Sequence, residues 1–297
     1  MERHFIDAVR SFNRAVTLGV GALNESYLGR GRPLGQARLL FEIGPDGSDI
    51  GSLRERLGLD SGYASRLLKS LEAEELIAIE SDSSDRRRRL VTLTPKGIGE
   101  RAAYDALSDG LARSLLDSLS ASQRDRLVSA MTEVERLMTA ASVTIDGEPE
   151  DSPDAQQCVS AYYRELDRRF EGGFDPGNGG YAGKPAPADV AGVFLIARLD
   201  GRAVGCGALK RLDATTGEIK RMWVAPEARG LGLARRLLEA LENHARQAGV
   251  RRVVLDTNRS LAEAQALYRT AGYRETSRYN DNSYADFFFE KELGAAL

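Results

Sequence analysis

Two cysteines, two histidines and one tryptophan are all that 297 residues hold of these types, and neither sign of charge dominates. Cys158 and Cys206 stand too far apart for a Cys-x-x-Cys metal or redox motif, so no metal is expected, while their pairing stays open. Long apolar runs are missing as well. The longest uncharged one, Val190 to Ala197, falls far short of the ~20 residues that span a membrane. The opening Met-Glu-Arg-His-Phe-Ile-Asp puts charges where a signal peptide needs an apolar core, so a cytoplasmic location with no membrane partner is expected. With 41 Lys+Arg against 44 Asp+Glu the net charge is −3, and neither half is basic overall. Any nucleic-acid contact must come from a local patch.

The chain is long enough for two domains, since single cores stop growing at about 250–300 residues. Phe5, Val9, Phe12, Val16 and Val20 recur at helical spacing and predict a helix over 4–27. Gly19 and Gly21 within it read as close packing or a kink, because no strand precedes them. Further helices are expected at 33–43, from a Ser48 cap, at 61–74 from an Asp60 or Ser61 cap, and at 95–117 and 120–142. Strands at 77–81 and 88–93 flank a basic connection. The acidic stretch 146–153, with two prolines, reads as a linker between domains 1–145 and 154–297. Beyond it come a helix near 154–170, strands at 193–199 and 202–212 joined by Asp200-Gly201, and alternating strands and helices to residue 290.

Three short helices followed by a two-stranded hairpin form a winged helix-turn-helix, whose second helix enters the major groove of DNA. On it, Leu67, Leu68 and Leu71 face the core and leave Ser61, Tyr63, Ser65, Arg66 and Lys69 for DNA. Arg86, Arg87, Arg88 and Arg89 at the wing tip suit phosphate or minor-groove contact. The spacing of Asp85, Arg87, Val91, Leu93, Thr94 and Gly97, with Ser65, Arg66 and Leu68 upstream, resembles the MarR family of regulators. That resemblance implies a homodimer, built from the first and last two helices, on a pseudo-palindromic double-stranded operator. It makes Arg87 the minor-groove arginine and Asp85 its orienting partner. Glu75 stands where that family has glycine, and Glu80 puts acid on the wing; both weaken nonspecific affinity.

In the second half, Arg229-Gly230-Leu231-Gly232-Leu233-Ala234 opens a helix directly after a strand, which is a phosphate-binding arrangement. The third glycine of a dinucleotide fold is missing. Glu218 to Pro226 followed by this turn, and Ala266 to Tyr273 downstream, resemble the GNAT family of N-acetyltransferases. The resemblance implies acetyl-CoA as co-substrate, its pyrophosphate held by the amides of Leu231, Gly232, Leu233 and Ala234. It places Met222, Trp223 and Val224 along the pantetheine arm, and Asn258 and Tyr268 at the acetyl end, with Tyr268 protonating the departing thiolate. Acetyl transfer to an amine needs a proton acceptor, and Glu218 is the candidate base. His244 reads as a helix-edge residue and Cys206 as a small strand residue. Tyr162, Tyr163, Glu165, Asp167, Arg168, Arg169, Phe174, Asp175 and 282–287, Tyr284 included, are candidates for the acceptor side.

The expectation is a multidomain chain: an all-α, winged-helix N-terminal domain, then an α/β GNAT domain. Its expected function is regulation of transcription joined to direct transfer of acetyl to a primary amine of a small molecule. The alternative is a non-catalytic repressor that senses acetyl-CoA.

Overall fold

The computed structural model describes residues 2–44, 46–81, 89–177 and 192–294. The chain divides into two compact units, Met1–Leu127 and Val128–Leu297.

In the first unit the helices are α1 (Arg3–Gly19), α2 (Leu34–Glu42), α3 (Ile50–Arg56), α4 (Ser61–Ala73), α5 (Pro95–Asp117) and the start of α6 (Ala121–Ser142). Strands β1 (Ser48–Asp49), β2 (Ile77–Ser81) and β3 (Arg89–Leu93) form an antiparallel sheet in the order β1-β3-β2. The first helix is shorter than its apolar spacing suggests: it ends at Gly19, and Gly21 turns the chain with φ +66°. Ser48 does not cap α3; it lies in β1, and Asp49 accepts from the Ser52 amide instead. Asp60 caps α4 by accepting from the Tyr63 amide at 2.9 Å. The core joins Leu39, Leu40 and Ile43 of the α2 region, Leu53 of α3, Leu67, Leu68 and Leu71 of α4, and Val91 of β3.

The sequence motif at the end of the wing has a structural cause. Val91 is fully buried, Thr94 caps α5 through the Gly97 amide, and its hydroxyl donates to the Glu75 carbonyl. At Gly97 an added Cβ would lie 1.9 Å from the Leu76 carbonyl oxygen, so only glycine fits this approach of α5.

The second unit holds a seven-stranded sheet in the order β4-β5-β6-β7-β8-β10-β9. Its strands are β4 (Thr144–Glu148), β5 (Val193–Leu199), β6 (Arg202–Arg211), β7 (Thr216–Val224), β8 (Arg252–Thr257), β9 (Arg274–Glu275) and β10 (Phe287–Glu292). Only β7 and β8 pair in parallel among the described strands. Asp200 and Gly201 both take positive φ in the β5–β6 turn. The acidic stretch expected as a linker begins inside the sheet, since Thr144–Glu148 pairs with Phe194–Arg198. As an edge strand it carries Asp146 exposed, while Glu148 is half-buried and paired with Arg198, so both charges are tolerated in a strand.

Helices α7 (Pro153–Arg169), α8 (Leu233–Gln247) and α9 (Ala262–Thr270) complete the unit. Alternation along β5 sends Leu195 and Ala197 into the cluster with Leu237, Leu238 and Leu241 of α8. Phe194 and Ile196 point the other way, against Ala155 and Cys158 of α7. Cys206 is buried in that second cluster and donates to the Arg221 carbonyl; both cysteines are free thiols. Among the described residues no helix is long and apolar enough to cross a membrane.

Candidate functional site

The site grows from an irregularity in β7. Its pairing with β6 shifts register between Cys206 and Ala208, and Arg221 takes φ +55°, the signature of a bulge that bends the strand. Pairing with β8 covers only Thr216–Glu218 against Arg252–Val254, although both strands run on. Past that point the strands part. The space between them is lined by Met222, Trp223 and Val224 on one side and by Leu261, Ala264, Leu267 and Tyr268 on the other.

Next to Val224 lies the glycine turn. Gly230 and Gly232 have φ +81° and +74°, and Gly232 occupies the cap position of α8. The helix ladder starts with the Arg236 amide donating to the Gly232 carbonyl, so the amides of Leu233, Ala234 and Arg235 precede it. Leu231 is half-buried, and the Leu233 side chain sits in the core. Arg229 turns away from the turn: it pairs with Glu165 on α7 and donates to the Val224 carbonyl at 3.1 Å. Glu165 also accepts from the Trp223 indole at 2.9 Å and pairs with Arg169.

A second lobe continues past Met222 and Tyr268, lined also by Tyr162, Phe170, Asp256, Asn258, Asn282 and Tyr284. Tyr268 is buried, and burial, then the negative charge of Asp256, raises its phenol above the ordinary tyrosine range. Glu218 is 4% exposed, and its Oε1 accepts from Lys220 Nζ at 3.2 Å, Tyr279 Oη at 3.1 Å and Asn280 Nδ2 at 3.2 Å. The same Asn280 amide donates to Asp256 at 2.6 Å, and Asn282 donates to the other oxygen of Asp256 at 2.9 Å. Asn258 spends its side chain on the loop, donating to the Tyr284 carbonyl and accepting from Ser260.

The structure thus gathers Met222, Trp223, Val224, Ala234, Asn258, Tyr268 and Tyr284 around one cavity. Arg169 reaches its edge, already engaged with Glu165, Glu263 and the Ser260 carbonyl. Tyr163 and Phe174 lie one layer behind, their rings tilted against each other, with Phe174 against Phe170 and Tyr284. Arg168 is exposed and donates to the Arg164 carbonyl, apart from the cavity-lining residues. His244 is exposed on α8, bonded to the Ala240 carbonyl. Asp256 and Asn280 went unnoticed in the sequence. An aspartate one residue before the end of the apolar strand Arg252–Thr257, at the carboxyl end of a parallel pair, is the signal that points there.

In the first unit, Ser61, Tyr63, Ser65, Arg66 and Lys69 are all exposed on α4, opposite Ala64, Leu67, Leu68 and Leu71. The Arg66 guanidinium lies 5.8 Å from the Tyr63 ring centre. Arg89 opens β3 and is exposed, while Asp85, Arg86, Arg87 and Arg88 lie outside the described residues. Along α1, Phe5, Val9, Phe12 and Val16 are exposed, and the helix buries none of its described residues.

Known proteins match in two places. The acetyltransferase (GNAT) family model matches residues 160–273, and the MarR family model matches residues 30–88. An IAA acetyltransferase of Azospirillum brasilense is 46% identical over 28% of this chain, which spans about half (54%) of that relative. An uncharacterised N-acetyltransferase of Schizosaccharomyces pombe is 32% identical over 45% of this chain and 83% of its own length. The HTH-type transcriptional regulator SarZ of Staphylococcus haemolyticus is 33% identical over 29% of this chain and 57% of its own length. The chain belongs to the GNAT family of acetyltransferases, and residues 30–88 of its first unit match the MarR family model.

Proposed function

We propose that the second unit transfers acetyl from acetyl-CoA directly to a primary amine of a small molecule, and that the first unit binds an operator as a homodimer. The parting of β7 from β8, beside a glycine turn that opens α8, carries the first half of this reading. A coenzyme A molecule fits those features. Its pyrophosphate would meet the amides of Leu231 to Ala234 with help from the helix dipole. Its pantetheine amides would pair with the backbone edge of Met222 to Val224 that β8 leaves uncovered, as an added strand does, with the Val224 carbonyl shared with Arg229. When bound, acetyl-CoA supplies a thioester open to attack by an amine.

The chain's own residues do the rest. Tyr268, kept protonated by burial and by the nearby Asp256 charge, gives its proton to the departing thiolate. The hydrogen-bonded carboxylates at and beyond Glu218 receive the proton that the amine must lose. Tyr162, Phe170, Tyr284 and Asn282 bound the acceptor side.

For the first unit, exposed polar and basic groups on α4 suit groove and phosphate contact. The apolar row on α1 suits burial against a second copy. Two titrations on the intact chain test the pair. Acetyl-CoA should bind by calorimetry and release free thiol with pools of primary amines and amino acids. Duplex DNA should bind more weakly with rising salt. Absent coenzyme binding would overturn the transferase reading, and binding without turnover would turn it into an acetyl-CoA sensor.

A further inference from the structure

We propose that Asp256, rather than Glu218, holds the acceptor's ammonium group and takes its proton, and that the acceptor is a primary amine borne on an aromatic or apolar group. This rests on the acetyltransferase reading above.

Both carboxylates belong to one network, but they face different surroundings. Asp256 lines the same lobe as Tyr268, whereas Glu218 is absent from the described lining and is 4% exposed. The Glu218 carboxylate already meets the Lys220 ammonium, the Tyr279 phenol and the Asn280 amide. Asp256 meets two amides, Asn280 and Asn282, one on each oxygen. Neutral amides orient a carboxylate without cancelling its charge, so Asp256 keeps its attraction for a cation. Asn280 donates to both acids, which makes Glu218 a positioning residue that holds Asn280 and, through it, Asp256.

The walls fit the other end of such a molecule. Tyr162, Phe170 and Tyr284, with Leu166 and Leu261, surround the lobe that Asp256 enters. Aromatic faces favour both an apolar body and a nearby cation. The remaining charged groups on this lobe, Lys220 and Arg221, are occupied with Glu218 and Glu150.

The step balances as follows. One ammonium proton passes to an Asp256 oxygen, which frees the nitrogen lone pair. That pair forms the C–N bond while the C–S bond breaks and its electrons leave on sulfur. The thiolate takes the Tyr268 proton, and the second proton lost by nitrogen returns to the Tyr268 oxygen. Asp256 then releases its proton to water, the one proton the overall transfer produces.

Two amines of similar shape separate this role from a structural one. 2-Phenylethylamine is an ammonium ion at neutral pH; O-benzylhydroxylamine is already neutral and needs no base. Asp256→Asn should lower turnover of 2-phenylethylamine about 100-fold and of O-benzylhydroxylamine less than about threefold. Without coenzyme, the same variant should weaken calorimetric binding of 2-phenylethylamine while leaving 2-phenylethanol unchanged, and acetyl-CoA binding should match wild type. Glu218→Gln should lower both amines alike. Equal losses for both amines in Asp256→Asn, or a selective loss in Glu218→Gln instead, would overturn the assignment. Wild-type protein that acetylates other amines but neither probe overturns the aromatic acceptor. Wild-type protein that acetylates no amine overturns the transferase reading beneath it.

Discussion

The first unit displays its chemistry, whereas the second encloses it. Ser61, Tyr63, Ser65, Arg66 and Lys69 stand exposed on α4, and Phe12 is 46% exposed on α1. In the second unit Glu165 and Asn282 are buried in the cavity lining, and Glu218 is buried behind it, bonded to Asn280. Physical chemistry accounts for the contrast. DNA is a large external polyanion, so an exposed array of donors and cations can meet it, and one copy gains from a second beside it. A proton acceptor for an amine must instead be aimed, and aiming a buried polar group requires each of its hydrogen bonds to be satisfied. A display tolerates loss of single members; an enclosure does not.

The largest effect should therefore come from inside the second unit. Tyr268→Phe removes one hydroxyl from the cavity and should lower free-thiol release about 100-fold or more, with acetyl-CoA affinity unchanged. Operator affinity, measured on the same preparation, should stay within twofold of wild type. A parallel loss of DNA binding would break the division of labour between the units.

Next comes a position where the first unit is as exacting as the second. Gly97→Ala places a methyl group against the Leu76 carbonyl, 1.9 Å away before relaxation. Overpacking of this kind costs about 1–3 kcal/mol, and here the neighbour is backbone. Urea unfolding should show the loss in the transition of the first unit, while thiol release at low denaturant is unaffected. An unchanged midpoint would mean that α5 can shift away from Leu76 freely.

Phe12→Glu attacks the display itself. It sets a charge in the row Phe5, Val9, Phe12 and Val16. If a second copy covers that row, mass measured by light scattering should halve and operator affinity should fall about thirtyfold, as for a loss of about 2 kcal/mol at an interface hot spot. Unimpaired acetyl transfer by the monomer would sharpen the comparison, since it would place a complete site within one chain.

Legibility in the sequence follows the same division. The exposed face of α4 and the strands at 193–199 and 202–211 follow from short-range periodicity and turn chemistry, which need no knowledge of distant residues. The glycine turn at 230–232 and Tyr268 are legible because their spacing is local too. The Glu218–Asn280–Asp256 network is not, because its members are brought together by the β7–β8 pairing and by an irregular segment before β10. Asn280 sits in no periodic element, so nothing in its neighbourhood marks it. Strand β4 was hidden for a different reason. Its Asp146, Gly147, Glu148 and the following Pro149 have the composition of a linker, and only an edge position lets them pair.

The smallest effect concerns Glu75, where the two demands on the first unit meet. This residue follows α4 and takes φ +60°, with its amide bonded to the Glu72 carbonyl and the Leu76 amide to the Leu71 carbonyl. That is a helix C-terminus of the kind glycine fills, and a side chain there costs about 1–2 kcal/mol. Glycine would return part of this through the greater freedom of its unfolded chain. Glu75→Gly should thus stabilise the first unit by about 0.5–1 kcal/mol in urea. It also removes an exposed negative charge that sits 3.9 Å from Lys96, so DNA affinity at low salt should rise. Glu75→Gln separates the two effects, because it removes the charge and keeps the strained backbone. A gain in DNA affinity shared by both variants, with a gain in stability confined to glycine, would show that the chain retains the strain incidentally and the charge for its effect on DNA. A gain in affinity confined to glycine would instead tie the orientation of α4 to the conformation of this one residue.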